Sequence, residues 1–244
     1  MKQFVVAIDG FSGVGKSTVA RKTATRLSVP HLNSGFIFRA IALKILKNGL
    51  KTSHLGDVSK ILSETALELT QVPNNTGGLH FEVVLDGVVL GEELQEENIG
   101  KGASEVAKFL DVRDFACRLQ RRMAEKSSIV VEGRDAGTVI FPDARFKFFL
   151  TASTKVSAKR RLLQLRPDMV EMLENPGTEK FLEQFKKEVE QVEAELTARD
   201  QEDASREIAP TVKADDAIQI DTSELSADEV VERIVQIVNN QLQS

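Results

Sequence analysis

Hydrophobic residues along this 244-residue chain follow two patterns that alternate with each other. Short, nearly continuous apolar runs occur at Phe4–Ile8, Ile129–Glu132, Phe146–Leu150 and Ala217–Ile220, as in strands covered on both faces of a parallel sheet. Other stretches repeat every three to four residues. Val19, Ala20, Thr23, Ala24 and Leu27 share one stripe while Arg21, Lys22 and Arg26 face water, which predicts a helix over Ser17–Leu27. Further helices are predicted over Ile37–Lys47, Val58–Leu69 and Glu105–Lys126. A last one runs from Ser226 to about Asn239, opening with Ser226 and Glu229 in capping-box spacing.

Between Val72 and Leu94 the helical period fails. HFEVVLDGVVL sets two β-rich runs around Asp86-Gly87, a pair that tolerates positive φ, and this predicts a hairpin in a small β insert. From Arg166 to Asp200 the chain is highly charged, broken at Pro167 and at Asn175-Pro176-Gly177, and helical again from Glu179, which reads as mobile periphery. Phe181, Phe185, Val189 and Val192 form a stripe there, which fits either packing in an enlarged helical hairpin or a contact surface for a partner. Strands alternating with helices imply an α/β fold with ligands beyond the carboxyl ends of the strands. The length suits one domain, 1–244, with insertions.

Composition narrows the function classes. A net charge of -5 provides no global positive field for nucleic acid or an anionic membrane, so bound phosphate must be held locally. Cys117 is the one cysteine, which precludes an intrachain disulfide and fits a reducing, cytoplasmic setting. MKQFVVAIDG leaves no room for a signal-peptide core, and no apolar run approaches spanning length. His31, His54 and His80 are too scattered to suggest a zinc site.

The chemistry concentrates where the first strand ends. Gly10-Phe11-Ser12-Gly13-Val14-Gly15-Lys16-Ser17 fits G-x-x-x-x-G-K-[ST], with a strand before and a helix after, as a phosphate-binding P-loop requires. The glycines let backbone N–H groups turn toward an anion, Lys16 reaches β and γ phosphates, and Ser17 can ligate Mg²⁺, with Thr18 following at the helix start. The loop does not separate a GTPase, a motor ATPase and a small-molecule kinase. There is no N-K-x-D run for guanine and no strand ending in paired acidic residues.

Three further segments are decisive: Asn33-Ser34-Gly35-Phe36-Ile37-Phe38-Arg39, EGRDAGTVIFPDARFKFFLTAS from Glu132, and RDQEDASREIAPTVKADDAIQIDTSELS from Arg199. In this order and spacing they resemble bacterial cytidylate kinases, whose typical forms are L-D-[ST]-G-A-x-Y-R, G-R-D-x-G-T-V-V-F-P-D-A and R-D-x-x-D-x-x-R-x-x-A-P. The resemblance spans nearly the whole chain. It implies a P-loop core with a parallel sheet flanked by helices, a monophosphate-binding insert over 35–110 carrying the small β-sheet, and a helical lid over 155–210. It also implies ATP with Mg²⁺ as donor, CMP or dCMP as acceptor, and a monomer acting in pyrimidine metabolism.

By the same resemblance, Ser34, Arg39 and Arg113 grip the acceptor phosphate and nearby sugar. Ser104, Arg134, Asp135 and Arg206 read cytosine, and Arg199 and Asp203 take the ribose. Lys16, Arg199 and Arg206 serve the transfer, and Glu132 orders a magnesium-bound water. Taken singly, each arginine reads equally as a solvated helix-surface residue, and so do Arg160 and Arg161. The match departs at Phe11 (proline in the family), Asn33 (aspartate), Phe36 (alanine) and Phe38 (tyrosine). These departures leave open another acceptor such as UMP, or a nucleotide-binding regulatory module that has lost catalysis.

Overall fold

A computed structural model describes residues 3–74, 77–174 and 179–243. The first apolar run forms β1 (Val5–Gly10), and the stripe after it forms α1 (Lys16–Leu27). β2 (Pro30–Asn33), α2 (Ser34–Lys47) and α3 (Leu55–Ser63) come next. β3 (Leu67–Pro73), β4 (Leu79–Leu85) and the two-residue β5 (Val88–Val89) precede α4 (Glu97–Val106) and α5 (Leu110–Ala124). β6 (Ile129–Glu132) and β7 (Phe146–Thr151) flank a π-helical turn at Ala136–Ile140. α6 (Thr154–Leu165), α7 (Asp168–Glu174), α8 (Glu179–Ala204), β8 (Ile218–Asp221) and α9 (Ala227–Gln243) complete the order.

The strands form one sheet in the order β3-β4-β2-β6-β1-β7-β8, with β5 on β4. From β2 to β8 every neighbour is parallel. Side chains alternate across it: Val6, Ile8 and Val130 pack with α1 and α9, while Ala7, Ile129 and Val131 pack with α2, α5 and the β3–β4 hairpin. Burial on both faces is why β1 and β6 carry no polar alternation. The carboxyl ends of β1, β2 and β6 converge, and the phosphate loop leaves from the first of them.

Four expectations need correction. The helix predicted over Val58–Leu69 ends at Ser63, because Leu67 and Leu69 pair with Leu85 and Val83 in an antiparallel ladder. The single helix predicted over Glu105–Lys126 is two, with Phe109 extended (φ −94°, ψ 128°) between α4 and α5. The predicted hairpin forms, with Asp86 at φ 50° and Gly87 at φ 83°. It joins the main sheet through parallel pairing of Pro30 with Leu79 and His31 with His80. β8 lies at the sheet edge, and β2 is a strand with no counterpart in the predicted elements.

The capping box closes reciprocally: Ser226 N–H donates to Glu229 Oε2 at 2.8 Å and Glu229 N–H to Ser226 Oγ at 3.3 Å. The α8 stripe packs on Ala158, Leu162 and Met169, which favours the packing reading. The break at Asn175-Pro176-Gly177 lies outside the described residues. Cys117 is buried, and burial pushes its thiol pKa up. Among the described residues, no helix is long and apolar enough to cross a membrane.

Candidate active site

The loop between β1 and α1 has its shape imposed by close approach. Gly13 sits at φ 74°, and a Cβ there would stand 2.6 Å from the Ser157 carbonyl oxygen of α6, so only glycine fits. α1 begins with no side-chain cap and no acidic residue in its first turn, leaving its N–H groups to an incoming anion. Lys16 is 8% exposed, and its Nζ donates to the Phe11 carbonyl at 2.5 Å, spanning the loop. Burial and then Arg134 hold its pKa well below the ordinary ammonium range, against the opposing pull of Glu132, Asp200 and Asp9.

Beside the loop, Glu132 at the end of β6 is 3% exposed. Ser17 Oγ donates to its Oε2 at 2.7 Å, Asn33 Nδ2 donates to its Oε1 at 3.0 Å, and His31 Nε2 lies 3.1 Å from the same oxygen. Burial alone would raise this carboxyl, but the His31 and Ser17 contacts and Lys16 outweigh it, so the pKa is lowered and the group is a carboxylate. The Ser17 hydroxyl and Glu132 carboxylate are hard oxygen donors, a set that suits Mg²⁺ completed by water and substrate phosphates.

A cavity of about 1120 Å³ opens from this corner. Eight lysine and arginine side chains line it against four carboxylates, although the whole chain is acidic. Ser12, Gly13, Gly15, Lys16, Ser17 and Thr18 form one wall, and Ser34, Arg39, Ser104, Arg113, Arg134, Asp135, Arg199, Asp203 and Arg206 all reach it. Gly10, Phe11 and Val14 do not line it: Gly10 backs on Leu150, Phe11 meets Phe149 edge-on at 5.9 Å, and Val14 is core.

The arginines crowd one another. Arg39 is pushed down to about 10, first by burial and then by Arg199, Arg161 and Arg134. Arg199 is lowered too, by burial first and Arg134 next. Cations held together against their own repulsion make a site that a phosphate relieves. Arg39 is aimed by the Leu94 carbonyl, to which its Nη1 donates at 2.6 Å, and its guanidinium lies over Gly100, where a Cβ would be 2.9 Å from Nη2. Arg113, 5% exposed, donates from Nε to the Ala107 carbonyl at 2.7 Å and from Nη1 to Asp135 Oδ2 at 2.6 Å, and it lies 5.7 Å from the Phe38 ring centroid. The break between α4 and α5 frees that Ala107 carbonyl.

A second chain of bonds crosses the cavity roof. Arg206 Nη2 donates to Ser104 Oγ at 2.9 Å and pairs with Asp203, whose Oδ2 accepts from Arg134 Nε at 3.2 Å. Arg134 continues to Ser12 Oγ at 2.9 Å and the Gly10 carbonyl at 3.3 Å. Arg160 and Arg161 separate: Arg160 Nη1 donates to Thr222 Oγ1 at 2.9 Å, away from the cavity, and Arg161 lines it.

Asp9, His31 and Asp200 emerge only from the fold. Asp9 accepts the Ala136 and Gly137 N–H groups at 2.8 and 2.7 Å, tying the π turn to β1, and burial pushes its pKa up to about 6. No local pattern marks Asp9 or His31, and Asp200 lies in the R-D-x-x-D-x-x-R block with no role implied for it.

A strand–loop–helix phosphate cradle facing a second, arginine-lined wall across one cavity defines a P-loop phosphotransferase with separate donor and acceptor sites. The family model described as "Cytidylate kinase" matches residues 6–240, and the chain belongs to that family. The cytidylate kinase of Thermosipho melanesiensis is 38% identical over 233 residues, covering 96% of this chain and 95% of its own. Those of Thermotoga neapolitana (37%, 99% of both chains) and Alkaliphilus oremlandii (35%, 96% of both) are similar over as much of their length. A solved structure of an uncharacterized protein from Eubacterium ventriosum covers 97% of this chain at 15% identity, with a TM-score of 0.47.

Proposed function

We propose that this chain transfers the γ-phosphoryl group of ATP to the phosphate of CMP or dCMP, giving ADP and CDP or dCDP. The observation that carries the reading is the pairing, in one cavity, of the Lys16 loop with the mutually repelling Arg39, Arg134, Arg161 and Arg199. Binding ATP alone needs only the first. The work suits pyrimidine nucleotide metabolism in the cytoplasm.

The loop amides and Lys16 receive the β and γ phosphates. The acceptor phosphate stands against Ser34, Arg39 and Arg113, and an oxygen of it attacks Pγ as the bond to the β–γ bridging oxygen breaks. Little covalent chemistry falls to the protein, so alignment and charge stabilisation carry the rate. Ser17 and Glu132 would hold Mg²⁺, which supplies charge neutralisation across the phosphates when bound. Glu132, pinned on both oxygens, can orient a water there without a rotamer search.

Cytosine lies toward Ser104, Asp135 and Arg206, whose Nε is buried without a hydrogen-bond partner and is free to donate. A wrong base that leaves such a donor unpaired costs about 1–3 kcal/mol. Arg199 and Asp203 take the sugar. Residues 155–210 act as the lid and 35–110 as the monophosphate-binding insert; lid closure excludes water that would otherwise hydrolyse ATP.

The test is ADP release from ATP and Mg²⁺ with CMP, dCMP, UMP and AMP in turn. Selective turnover of CMP and dCMP is expected. A preference for UMP or AMP reassigns the acceptor, and ATP binding without turnover leaves a regulatory module.

A further inference from the structure

Asp200 has no part in the roles assigned so far. It stands on α8 between Arg199 and Asp203, half-buried, and its Oδ1 accepts the Ser12 N–H at 3.1 Å across 188 residues of sequence. Asp203, three positions on and therefore on the same helix face, reaches the same loop residue through Arg134, which bonds Ser12 Oγ. Ser12 is thus held by its N–H from one side and by its hydroxyl from the other.

These ties matter because of what α8 otherwise rests on. Its apolar stripe packs within a cluster formed by α6, α7 and α8 alone, separate from the two clusters that cover the sheet. Among the described residues, the C-terminal part of α8 meets the rest of the molecule through polar bonds: Asp200 and Asp203 as above, and Glu202 with Lys108 at 2.6 Å. Arg199 is the neighbour of Asp200, so its height over the phosphate loop follows from where Asp200 docks.

We propose that Asp200 is a positioning residue of the transfer reaction: by accepting the Ser12 N–H it docks the end of α8 on the phosphate loop and fixes the place of Arg199. This rests on the kinase reading for its kinetic consequence only. The carboxylate touches no reacting atom. With Asp203 it makes two points of attachment one turn apart; removing Asp200 leaves the helix to pivot about Asp203, and Arg199, beside Asp200, moves with the freed point.

The test uses the full chain and two substitutions, Asp200→Ala and Asp200→Asn, with Glu202→Gln as a control for a polar tie that does not reach the loop. In the nucleotide-free protein, amide hydrogen exchange at Ser12 is expected to quicken about tenfold in Asp200→Ala, while Ala7 and Ile8 of β1 keep their protection. With ATP and CMP, kcat per folded molecule is expected to fall about tenfold, with a smaller change in KM for CMP, because misplacement acts when the closed site assembles. Asp200→Asn, which keeps an acceptor oxygen, is expected to recover most of both, and Glu202→Gln to leave both unchanged. Unaltered Ser12 exchange and kcat in Asp200→Ala overturn the proposal, as does Asp200→Asn as impaired as Asp200→Ala. Because the exchange measurement needs no substrate, a wild type inactive toward CMP whose Ser12 amide still responds removes the acceptor assignment and leaves the docking intact.

Discussion

Asn33 is where this chain departs most consequentially from the L-D-[ST]-G pattern of its family, and the structure says what restoring the aspartate does. Its Nδ2 donates to Glu132 Oε1 at 3.0 Å, and His31 lies against the same oxygen. Asn33→Asp replaces that donor by a second carboxylate oxygen. Two unit charges about 3 Å apart repel by about 5 kcal/mol at an effective dielectric of about 20, and rotation to about 5 Å leaves about 3 kcal/mol. Asn33→Ala, which only removes the donor, is expected to cost about 1.5–3 kcal/mol. In urea unfolding without metal at about pH 8, the Asp variant is therefore expected to be less stable than the Ala variant by about 1–3 kcal/mol. The sign with pH follows: a carboxyl whose folded pKa is raised binds its proton more tightly folded, so the deficit grows as pH rises and closes in acid. An Asp variant as stable as the Ala variant at about pH 8 would refute the reasoning.

Gly13→Ala is expected to cost about 2–5 kcal/mol in thermal unfolding, combining a left-handed backbone with a Cβ driven into the Ser157 carbonyl. Arg113→Ala strands Asp135 as a buried, unpaired carboxylate, and urea unfolding should show a loss of about 3–5 kcal/mol together with weakened CMP binding. Lys16→Ala is expected to lower kcat about 10²–10³-fold without a matching loss of stability, since it also removes a costly buried ammonium; unchanged turnover would end the proposed role of Lys16. Asp9, raised from 3.8 to about 6, favours the folded state most in acid, and up to about 3 kcal/mol is lost as pH rises through 6; Asp9→Asn should flatten that slope of unfolding free energy against pH.

Much of this architecture is readable in sequence because local and global preferences agree. The apolar runs of β1, β6 and β7, the phosphate loop, the Asp86-Gly87 turn and the Ser226–Glu229 box each declare themselves within a few residues. Where they disagree, tertiary pairing prevails. Leu67 and Leu69 continue a helical spacing from Val58, yet they also alternate with Glu68, and the ladder with β4 decides between the two periods. The α4–α5 break has no proline or glycine to announce it; its reason lies in Arg113, which takes the freed Ala107 carbonyl. Most of the residues named from the family motifs line one cavity, whereas Asp9, His31 and Asp200 take partners 101 or more positions away, which only folding brings to them.

The separate apolar cluster of α6, α7 and α8 has a thermodynamic consequence for the proposed lid. Because that small core travels with the lid and its contacts across the cavity are ionic and hydrogen-bonded, opening exposes charges and little hydrocarbon. The open–closed equilibrium of the proposed lid is therefore expected to carry a small heat-capacity change, so its enthalpy stays nearly constant with temperature. Dissolved salt acts on the ionic contacts instead, since at physiological ionic strength the screening length is about 8 Å. Ionic strength is thus the solution variable expected to act on closure of the proposed lid.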